Sequence, residues 1–226
     1  MSLRSALVRI PGVKAAYSLM HDLNRNGIFE DWCRRNENRS LESKSGPGSS
    51  LSQTHILRAE LERLIGELRI TSLLDIPCGD FNWMKDVNLG DVRYIGADIL
   101  GDVIAENRKK YGSSAREFRL LDLTRDRIPR TDLILCRDCL PHLSYRLIRK
   151  ALAAVKRSGA RYFLTTTYPA HSENLDIYTG NWRPLCLTAL PFKFPPPLRS
   201  IDEQCPQEGC QDKSLALWAV EDIPPA

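Results

Sequence analysis

Apolar residues recur along the chain with two different periods. In "SQTHILRAELERLIGELRI" they stand three or four positions apart, which predicts an amphipathic helix. The earlier runs "SALVRI", "VKAAYSLMHDL" and "IFEDWCRRN" also favour helices, and the Gly- and Ser-rich "SLESKSGPGSSLSQT" is a loop by composition. We therefore expect residues 1–70 to form a helical cap with a Gly/Ser loop.

From residue 71 onwards, short β-rich runs alternate with helical ones. "TSLLDI", "VRYIGAD", "REFRLLDL", "TDLILCR" and "ARYFLTTT" predict strands, and "FNWMKDV", "GDVIAENRKKYG" and "YRLIRKALAAVKRSG" predict helices between them. Such alternation is typical of a parallel sheet covered by helices on both faces. The last two runs, "PLRSIDE" and "KSLALWAV", are joined by a short turn-rich segment and predict an antiparallel pair. We therefore expect residues 71–226 to form an α/β domain.

Residues 168–197 interrupt this alternation. They are rich in proline and aromatic residues and have no clear period. A segment of that length without secondary structure is usually a functional lid or binding loop, so we expect a substrate lid here, with Tyr168, Trp182 and Arg183 facing an acceptor. The alternative is a surface cover whose aromatic side chains fill the core.

Composition limits the class of protein. With 226 residues, 42% of them hydrophobic, the chain can bury one sizeable core. The net charge of +4 is spread along the chain and forms no basic stripe, so we expect no nucleic-acid partner. No apolar run reaches the roughly 18 residues of a membrane span, and the N-terminus does not have the pattern of a signal peptide. A cytoplasmic protein is expected, and the oligomeric state is left open.

The seven cysteines favour free thiols in a reduced compartment. Cys136, Cys139, Cys205 and Cys210 are an alternative set of four zinc ligands. Their spacing is not that of a zinc knuckle, so we expect buried thiols and no metal.

Carboxylates follow three successive predicted strands. Asp75 precedes Pro77 and Gly79, where the first strand breaks, and Asp98 and Asp122 end the next two. In an open α/β sheet, ligands bind beyond the carboxyl ends of the strands, and an acid at the end of the second accepts hydrogen bonds from ribose hydroxyls. A carboxylate after the third strand can accept from an exocyclic amine. Such a ring of carboxylates would repel a pyrophosphate, so an adenosine ligand without phosphates is predicted.

These stretches resemble the motifs of a known family. "LLDIPCGDFNW", "YIGADI", "LLDLT" and "DLILCRDCLPHLS" are similar to successive motifs of class I S-adenosylmethionine-dependent methyltransferases, over roughly residues 71–167. "TTTYP", "DIYTGNWRPLCL" and "DKSLALW" resemble a small bacterial subgroup of poorly defined function. The departure is in the first motif, which has one glycine where the family has two or three. The resemblance implies a Rossmann-like, seven-stranded, mostly parallel sheet and S-adenosylmethionine as cofactor.

The resemblance also implies roles for individual residues. Those expected to bind the cofactor are Asp75, Pro77, Gly79, Asp98, Ile99, Asp122, Leu123, Cys136 and Arg137. Structural alternatives stay open, since Asp75 can brace its loop and the other acids can be ordinary strand-end turn residues.

A general base is needed only if the acceptor keeps its proton at neutral pH, as an alcohol does. The candidates, in order, are His142, Asp138, His55 and Tyr168. We expect His142 and Asp138 to be catalytic, the alternative being that both cap the following helix.

The Gly/Ser loop is the second candidate for the acceptor side. A helix predicted to begin near Leu51 would make the loop before it a nest of donors for an anion, together with Arg183. The expected loop residues are Ser45, Gly46, Gly48, Ser49 and Ser50. A flexible linker is the alternative interpretation.

Three function classes follow. The first is methyl transfer to a small molecule, at an oxygen of an acidic, aromatic or sugar-like metabolite. The second is a methyltransferase acting on RNA or protein. The third is an inactive nucleoside-binding fold used as an interaction module.

Overall fold

A computed structural model describes residues 11–38 and 42–225. The predicted helix "SALVRI" lies outside these residues. The α-helices are α1 (Pro11–Leu23), α2 (Arg25–Asn38), α3 (His55–Glu67), α4 (Gly101–Tyr111) and α5 (Tyr145–Arg157). The strands are β1 (Ser72–Asp75), β2 (Arg93–Asp98), β3 (Arg116–Leu120), β4 (Leu133–Cys136), β5 (Tyr162–Thr167), β6 (Arg199–Asp202) and β7 (Ser214–Ala219). Across the described residues, no helix combines the length and the apolarity that crossing a membrane requires.

The seven strands form one sheet in the order β3-β2-β1-β4-β5-β7-β6. The first five are parallel, and β7 runs antiparallel to both β5 and β6. The predicted mostly parallel sheet with an antiparallel C-terminal pair is therefore confirmed. β2 pairs with one side of β1 and β3 follows it at the edge of the sheet, whereas β4 pairs with the other side of β1. This reversal opens a crevice at the carboxyl ends of β1 and β4.

Both faces of the sheet are buried. Leu73 and Leu74 are fully buried although they point to opposite faces, as the apolar runs of central parallel strands require. The apolar side of α5, which includes Leu147 and Ile148, packs on one face, and that of α3, which includes Leu57, packs on the other. The two layers hold the strand ends rigidly around the crevice.

The helix pair α1–α2 is fixed to the sheet through Asp22. Its buried carboxylate accepts a hydrogen bond of 2.9 Å from Ser144 Oγ and another from Thr179 Oγ1, and it pairs with Arg146. Ser144 caps α5, and Thr179 belongs to residues 168–197, which contain no helix or strand beyond an isolated bridge. The helix pair, α5 and the 168–197 segment are thus joined at one buried acid.

Two helix predictions are wrong. "FNWMKDV" contains only a 3-10 turn, Met84–Asp86, and its first residue, Phe81, has a φ of 60°, which is outside the helical region. The helix expected near Leu51 begins at His55, after a short 3-10 turn at Pro47–Ser49 and further turns. The Leu51 N–H is satisfied by the Glu42 carboxylate rather than left free at a helix N-terminus.

Candidate functional site

A cavity of about 660 Å³ lies at the carboxyl ends of β1, β2 and β4. That volume lies within the usual range of small-molecule sites. The sequence-predicted residues that line it are Asp75, Pro77, Gly79, Asp98, Ile99, Asp122, Leu123, Arg137, Asp138, His142, Ser45, Gly46, Gly48, Ser49, Tyr168 and Trp182. The fold thus brings the strand-end acids, the Gly/Ser loop and two aromatic residues of the 168–197 segment to one space.

The first motif makes its close approach at Gly79. This residue has a φ of 52°, and a Cβ there would lie 2.1 Å from Ser45 Oγ. Its carbonyl accepts a 2.7 Å hydrogen bond from the Asn107 amide, which holds the turn from α4. A side chain here would be strained by the left-handed backbone and would displace the Ser45 hydroxyl, so the position favours glycine.

Two buried carboxylates stand beside this turn. Asp98 accepts hydrogen bonds of 3.1 Å from the N–H groups of Gly79 and Leu100, and Asp75 accepts one of 2.7 Å from the Tyr94 hydroxyl. Burial disfavours the charged form and raises the pKa of Asp98 to about 6 and that of Asp75 to about 7. Both are acceptors whose charge changes near neutral pH.

Asp122 has a partner that the sequence did not suggest. One carboxylate oxygen accepts from the Thr124 N–H at 2.8 Å and from the Thr124 hydroxyl at 2.7 Å, and the other pairs with Arg25 of α2. Burial alone would raise the pKa of Asp122, but the bonds from Arg25 and Thr124 outweigh it and lower that pKa. Asp122 is therefore ionised at neutral pH.

Two charged residues of the loop that follows β4 form a cluster with two charged residues of the C-terminal hairpin. Lys213 Nζ lies 2.6 Å from Asp138 Oδ2 and 3.3 Å from Glu203, and Arg137 binds Glu203 with two N–H groups, at 3.2 and 2.5 Å. Arg137 Nη1 also lies 3.3 Å from Asp138. The two cations, Arg137 and Lys213, and the two carboxylates, Asp138 and Glu203, give the cluster no net charge. This cluster of Arg137, Asp138, Glu203 and Lys213 fixes the loop, whose Asp138 has the unusual φ of 51°.

His142 and Asp138 have opposite electrostatic environments. Burial lowers the pKa of His142, which favours the neutral ring. Burial would raise the pKa of Asp138, but Lys213 and Arg137 hold it well below its usual range. His142 Nδ1 lies 3.1 Å from the carbonyl oxygen of Asn181. Because a carbonyl only accepts, the proton is on Nδ1 and the lone pair is on Nε2. His142, rather than Asp138, can accept a proton near neutral pH.

The Gly/Ser loop lies over the first motif, and three of its donors bind Asp80. Asp80 accepts from the Lys44 N–H at 2.7 Å and from the hydroxyls of Ser43 and Ser45 at 2.9 and 3.4 Å. From the other side, Arg137 Nη2 donates to the Gly48 carbonyl at 2.8 Å. Of the loop residues predicted to hold an external anion, Ser45 thus donates to the chain's own carboxylate.

Four predicted site residues do not line the cavity. Arg183 is buried elsewhere, donating at 2.8 Å to the Pro141 carbonyl over the ring of Tyr145. The carbonyls of the turn Leu140–His142 attract the guanidinium, so the structure does not place Arg183, which was predicted to hold the acceptor, at the cavity. Cys136 is fully buried beneath the loop. Ser50 bonds Ser52 Oγ at 3.1 Å, and His55 lies at the exposed start of α3.

One face of α2 completes the cavity wall and was missed from the sequence. The lining residues of this face are Arg25, Phe29, Trp32, Cys33, Arg35 and Asn36. Arg25, Phe29, Trp32 and Asn36 are spaced by four, three and four positions, which places them on one side of a helix, so the periodicity was available as a signal. The mixed polar and apolar composition of that face concealed it.

No metal group is found among residues 11–38 and 42–225, where no three His, Cys, Asp or Glu side chains are placed to hold an ion. Cys205 and Cys210 line the cavity, whereas Cys136 does not. The four cysteines of the alternative zinc set are thus not assembled.

Comparisons with known proteins identify the fold. No protein-family model and no curated protein sequence matches this chain. The Burkholderia thailandensis 1,6-didemethyltoxoflavin-N1-methyltransferase, solved with 1,6-didemethyltoxoflavin and S-adenosylhomocysteine, is 15% identical with a TM-score of 0.59, over 90% of this chain and 88% of that one. The N-methyltransferase NodS from Bradyrhizobium japonicum WM9, solved with S-adenosylhomocysteine, is 15% identical with a TM-score of 0.58, over 87% of this chain and 98% of that one. The chain has the fold of S-adenosylmethionine-dependent methyltransferases, as its motifs predicted.

Proposed function

We propose that this chain transfers the methyl group of S-adenosylmethionine to a small-molecule acceptor. One observation carries the proposal: Asp75, Gly79 and Asp98 converge on a single cavity at the switch point of a methyltransferase fold. Two proteins with this fold were solved with S-adenosylhomocysteine, the demethylated product.

The residues present fit an adenosine ligand. The Gly79 and Leu100 N–H groups leave acceptor capacity on the buried Asp98 carboxylate, which suits the two hydroxyls of a ribose. Gly79 has no side chain to obstruct a methionine moiety, and Asp75 stands below it. Ile99 and Leu123 provide apolar surface for a base.

The remaining cofactor assignments are also proposals. Arg137 holds the loop after β4 against the cofactor through its bond to Gly48. Cys136, the last residue of β4, is fully buried and supports that loop without contacting the cofactor.

For the acceptor we propose an oxygen of an aromatic metabolite, among the acidic, aromatic and sugar-like classes. Trp32, Tyr168 and Trp182 line the cavity, and the rings of Tyr168 and Trp182 meet edge to face at 5.8 Å. Aromatic walls favour a flat apolar ligand. An acidic acceptor has less support, because Arg183 faces away and the Gly/Ser loop is bound to Asp80.

His142 is proposed as the general base. When bound, the cofactor supplies an electrophilic methyl group. His142 accepts the proton of the acceptor hydroxyl at Nε2, since Nδ1 is bonded to Asn181. Asp138 does not take that proton, and its fixed negative charge stabilises the imidazolium that forms.

The division of the chain follows from these roles. We propose residues 1–70 as a cap with a Gly/Ser loop, residues 71–226 as the methyltransferase domain, and residues 168–197 as a substrate lid. In support, α2, the Gly/Ser loop, Tyr168 and Trp182 all line the same cavity.

The first test is binding of S-adenosylhomocysteine, measured by calorimetry. Asp98→Ala should weaken binding by about 1.5–3 kcal/mol, the value of a hydrogen bond to a charged group. Asp102→Ala, an exposed acid on the first turn of α4, is the matched control and should bind like the parent. Equal affinity of Asp98→Ala and parent would remove the ribose assignment, and a parent that binds NADH instead would overturn the whole proposal.

The second test is methyl transfer. Phenols, small carboxylic acids, sugars, bulk RNA and mixed proteins are each incubated with S-adenosylmethionine carrying a labelled methyl group. Labelled methyl ethers of phenols are expected. Methylation of RNA or protein alone would assign the chain to the other class of methyltransferase, and binding without transfer to any acceptor would leave a nucleoside-binding module.

A further inference from the structure

We propose that Asp138 binds a second hydroxyl of the acceptor, next to the hydroxyl that His142 deprotonates, so that the acceptor is an aromatic compound with two adjacent hydroxyls. This inference rests on the proposed function and deepens it. It names the class of acceptor and gives Asp138 a role in selecting it.

Within the charged cluster, Asp138 alone has substantial exposed surface. Its side chain is 31% exposed, compared with 4% for Arg137, 0% for Glu203 and 5% for Lys213. Asp138 also lines the cavity. A ligand on the acceptor side therefore meets a carboxylate, whereas the two cations that compensate its charge stay covered.

One oxygen of this carboxylate keeps acceptor capacity. Both cations lie at Oδ2, with Lys213 Nζ at 2.6 Å and Arg137 Nη1 at 3.3 Å. Among the described residues, Oδ1 accepts a side-chain hydrogen bond only from the Thr166 hydroxyl, at 3.3 Å. Because each carboxylate oxygen offers about two acceptor positions, one position on Oδ1 is open to a donor from a ligand.

The charge of Asp138 decides which groups it can bind. Burial would raise the pKa of Asp138, but Lys213 and Arg137 hold it well below its usual range. An ionised carboxylate accepts hydrogen bonds and donates none, so it attracts an O–H and repels an ether oxygen or a second carboxylate. A neutral donor suits the site better than an ammonium group, because the cluster already has no net charge and an added cation would have no partner.

Asp138 and His142 lie on one short stretch of chain and interact. The His142 N–H donates to the Cys139 carbonyl at 3.0 Å, in a tight 3-10 turn that brings both side chains to the cavity. Burial lowers the pKa of His142, and the Asp138 charge opposes that effect. The ring of Trp32 meets the imidazole edge to face at 4.7 Å. An aromatic acceptor beside Trp32 presents one hydroxyl to His142 and its neighbour to Asp138.

Methyl transfer to such an acceptor stops after one step. The reacting oxygen gains the methyl group and loses its proton to His142 Nε2, while the sulfur keeps the electron pair of the broken carbon–sulfur bond. The second hydroxyl keeps its proton and its bond to Asp138. The monomethyl ether that forms has no donor beside its remaining hydroxyl, so it is a poor acceptor for a second transfer.

The test compares 1,2-dihydroxybenzene with 2-methoxyphenol, its monomethyl ether, as acceptors in a steady-state assay. Both have the same ring and the same reacting group, but only the diol offers a donor to Asp138. The parent should show a kcat/KM about 10- to 100-fold higher for the diol, as expected for the loss of a hydrogen bond to a charged group. In Asp138→Asn the preference should fall below about threefold, because an amide can donate to the ether oxygen.

The ratio between two acceptors cancels any loss of rate that a variant causes for both, so a disturbed loop alone does not change it. The matched control is Asp212→Asn, which removes a carboxylate next to Lys213 in the chain but outside the cavity, and it should keep the parent preference. 1,3-Dihydroxybenzene, whose hydroxyls are not adjacent, should be as poor an acceptor as the ether.

The parent alone can contradict the inference. Equal kcat/KM values for the diol and either of the other two phenols would overturn it and leave methyl transfer to a phenol intact. An undiminished preference in Asp138→Asn would overturn it as well. A parent that methylates none of the three would overturn the proposed aromatic acceptor and this inference together.

Discussion

Lys213 Nζ lies 2.6 Å from Asp138 Oδ2, although the two residues are 75 positions apart. The bond ties the residue before β7 to the loop after β4, where Asp138 and His142 line the cavity. Lys213 has a side chain only 5% exposed. The C-terminal hairpin thus does more than complete the sheet, because it supplies the charges that fix this loop.

Lys213→Met should be strongly destabilising. It leaves Asp138 and Glu203 with Arg137 as their only cationic partner, and breaking a buried pair typically costs about 3–5 kcal/mol. The free energy of unfolding in urea measures the loss. Arg161→Met is the matched control, since it removes a half-exposed pair with Asp132 and should cost less than about 1 kcal/mol. Equal stabilities of the two variants would mean that the cluster is not a stabilising unit.

Gly79→Ala should reduce the affinity for S-adenosylhomocysteine. The new Cβ meets Ser45 Oγ, and an alanine at a φ of 52° is strained by roughly 1–2 kcal/mol. The double variant Gly79→Ala/Ser45→Gly removes the collision but not the strain, so calorimetry should show partial recovery. No recovery would show that the backbone conformation, rather than contact with the Gly/Ser loop, requires the glycine.

His142→Gln should lower the rate of methyl transfer to a phenol by about 100-fold or more, the usual contribution of a general base. Its affinity for S-adenosylhomocysteine should stay within about twofold of the parent, because no cofactor contact is assigned to the imidazole. His171→Gln changes a partly buried histidine outside the cavity and should keep the parent rate. A single-turnover assay gives the rate, and a His142→Gln variant as fast as the parent would exclude the imidazole as base.

The raised pKa of Asp98 has a consequence for stability. The folded chain holds this proton up to about pH 6, whereas the unfolded chain releases it near pH 4. Between these values the folded state binds more protons, so the contribution of Asp98 to stability falls as the pH rises. Asp98→Asn removes this titration. Its free energy of unfolding relative to the parent should increase by about 3 kcal/mol between pH 4 and pH 8. A difference that does not change with pH would contradict a buried, titrating Asp98.

Several residues of the site could be identified from local sequence patterns. Asp75, Asp98 and Asp122 each follow an apolar run, and parallel strands bring such positions to one edge of the sheet. Gly79 was identifiable because it interrupts the first of these runs. The helix α2 was predicted, but nothing in its own sequence indicates that Arg25 reaches Asp122, 97 positions away.

Hydrogen bonds within the chain engage part of the predicted acceptor side. Arg183 donates through Nη1 to the Pro141 carbonyl, and the Lys44 N–H and the Ser45 hydroxyl donate to the Asp80 carboxylate. Phe81 was predicted to lie in a helix, but it adopts a positive φ within the turn above the cavity. Which partner a polar group binds depends on residues that folding brings close.

The sequence by itself determined the strands, most of the helices, the parallel direction of the strands that alternate with helices, and the acids that meet at the strand ends. These follow from periodicity and from chain connectivity, which are local properties. Only the tertiary structure decided that α2 closes the cavity, that Lys213 and Glu203 hold Arg137 and Asp138, and that Arg183 turns away. The physical reason is that buried charges must be paired, and the partner is selected by three-dimensional proximity rather than by sequence spacing.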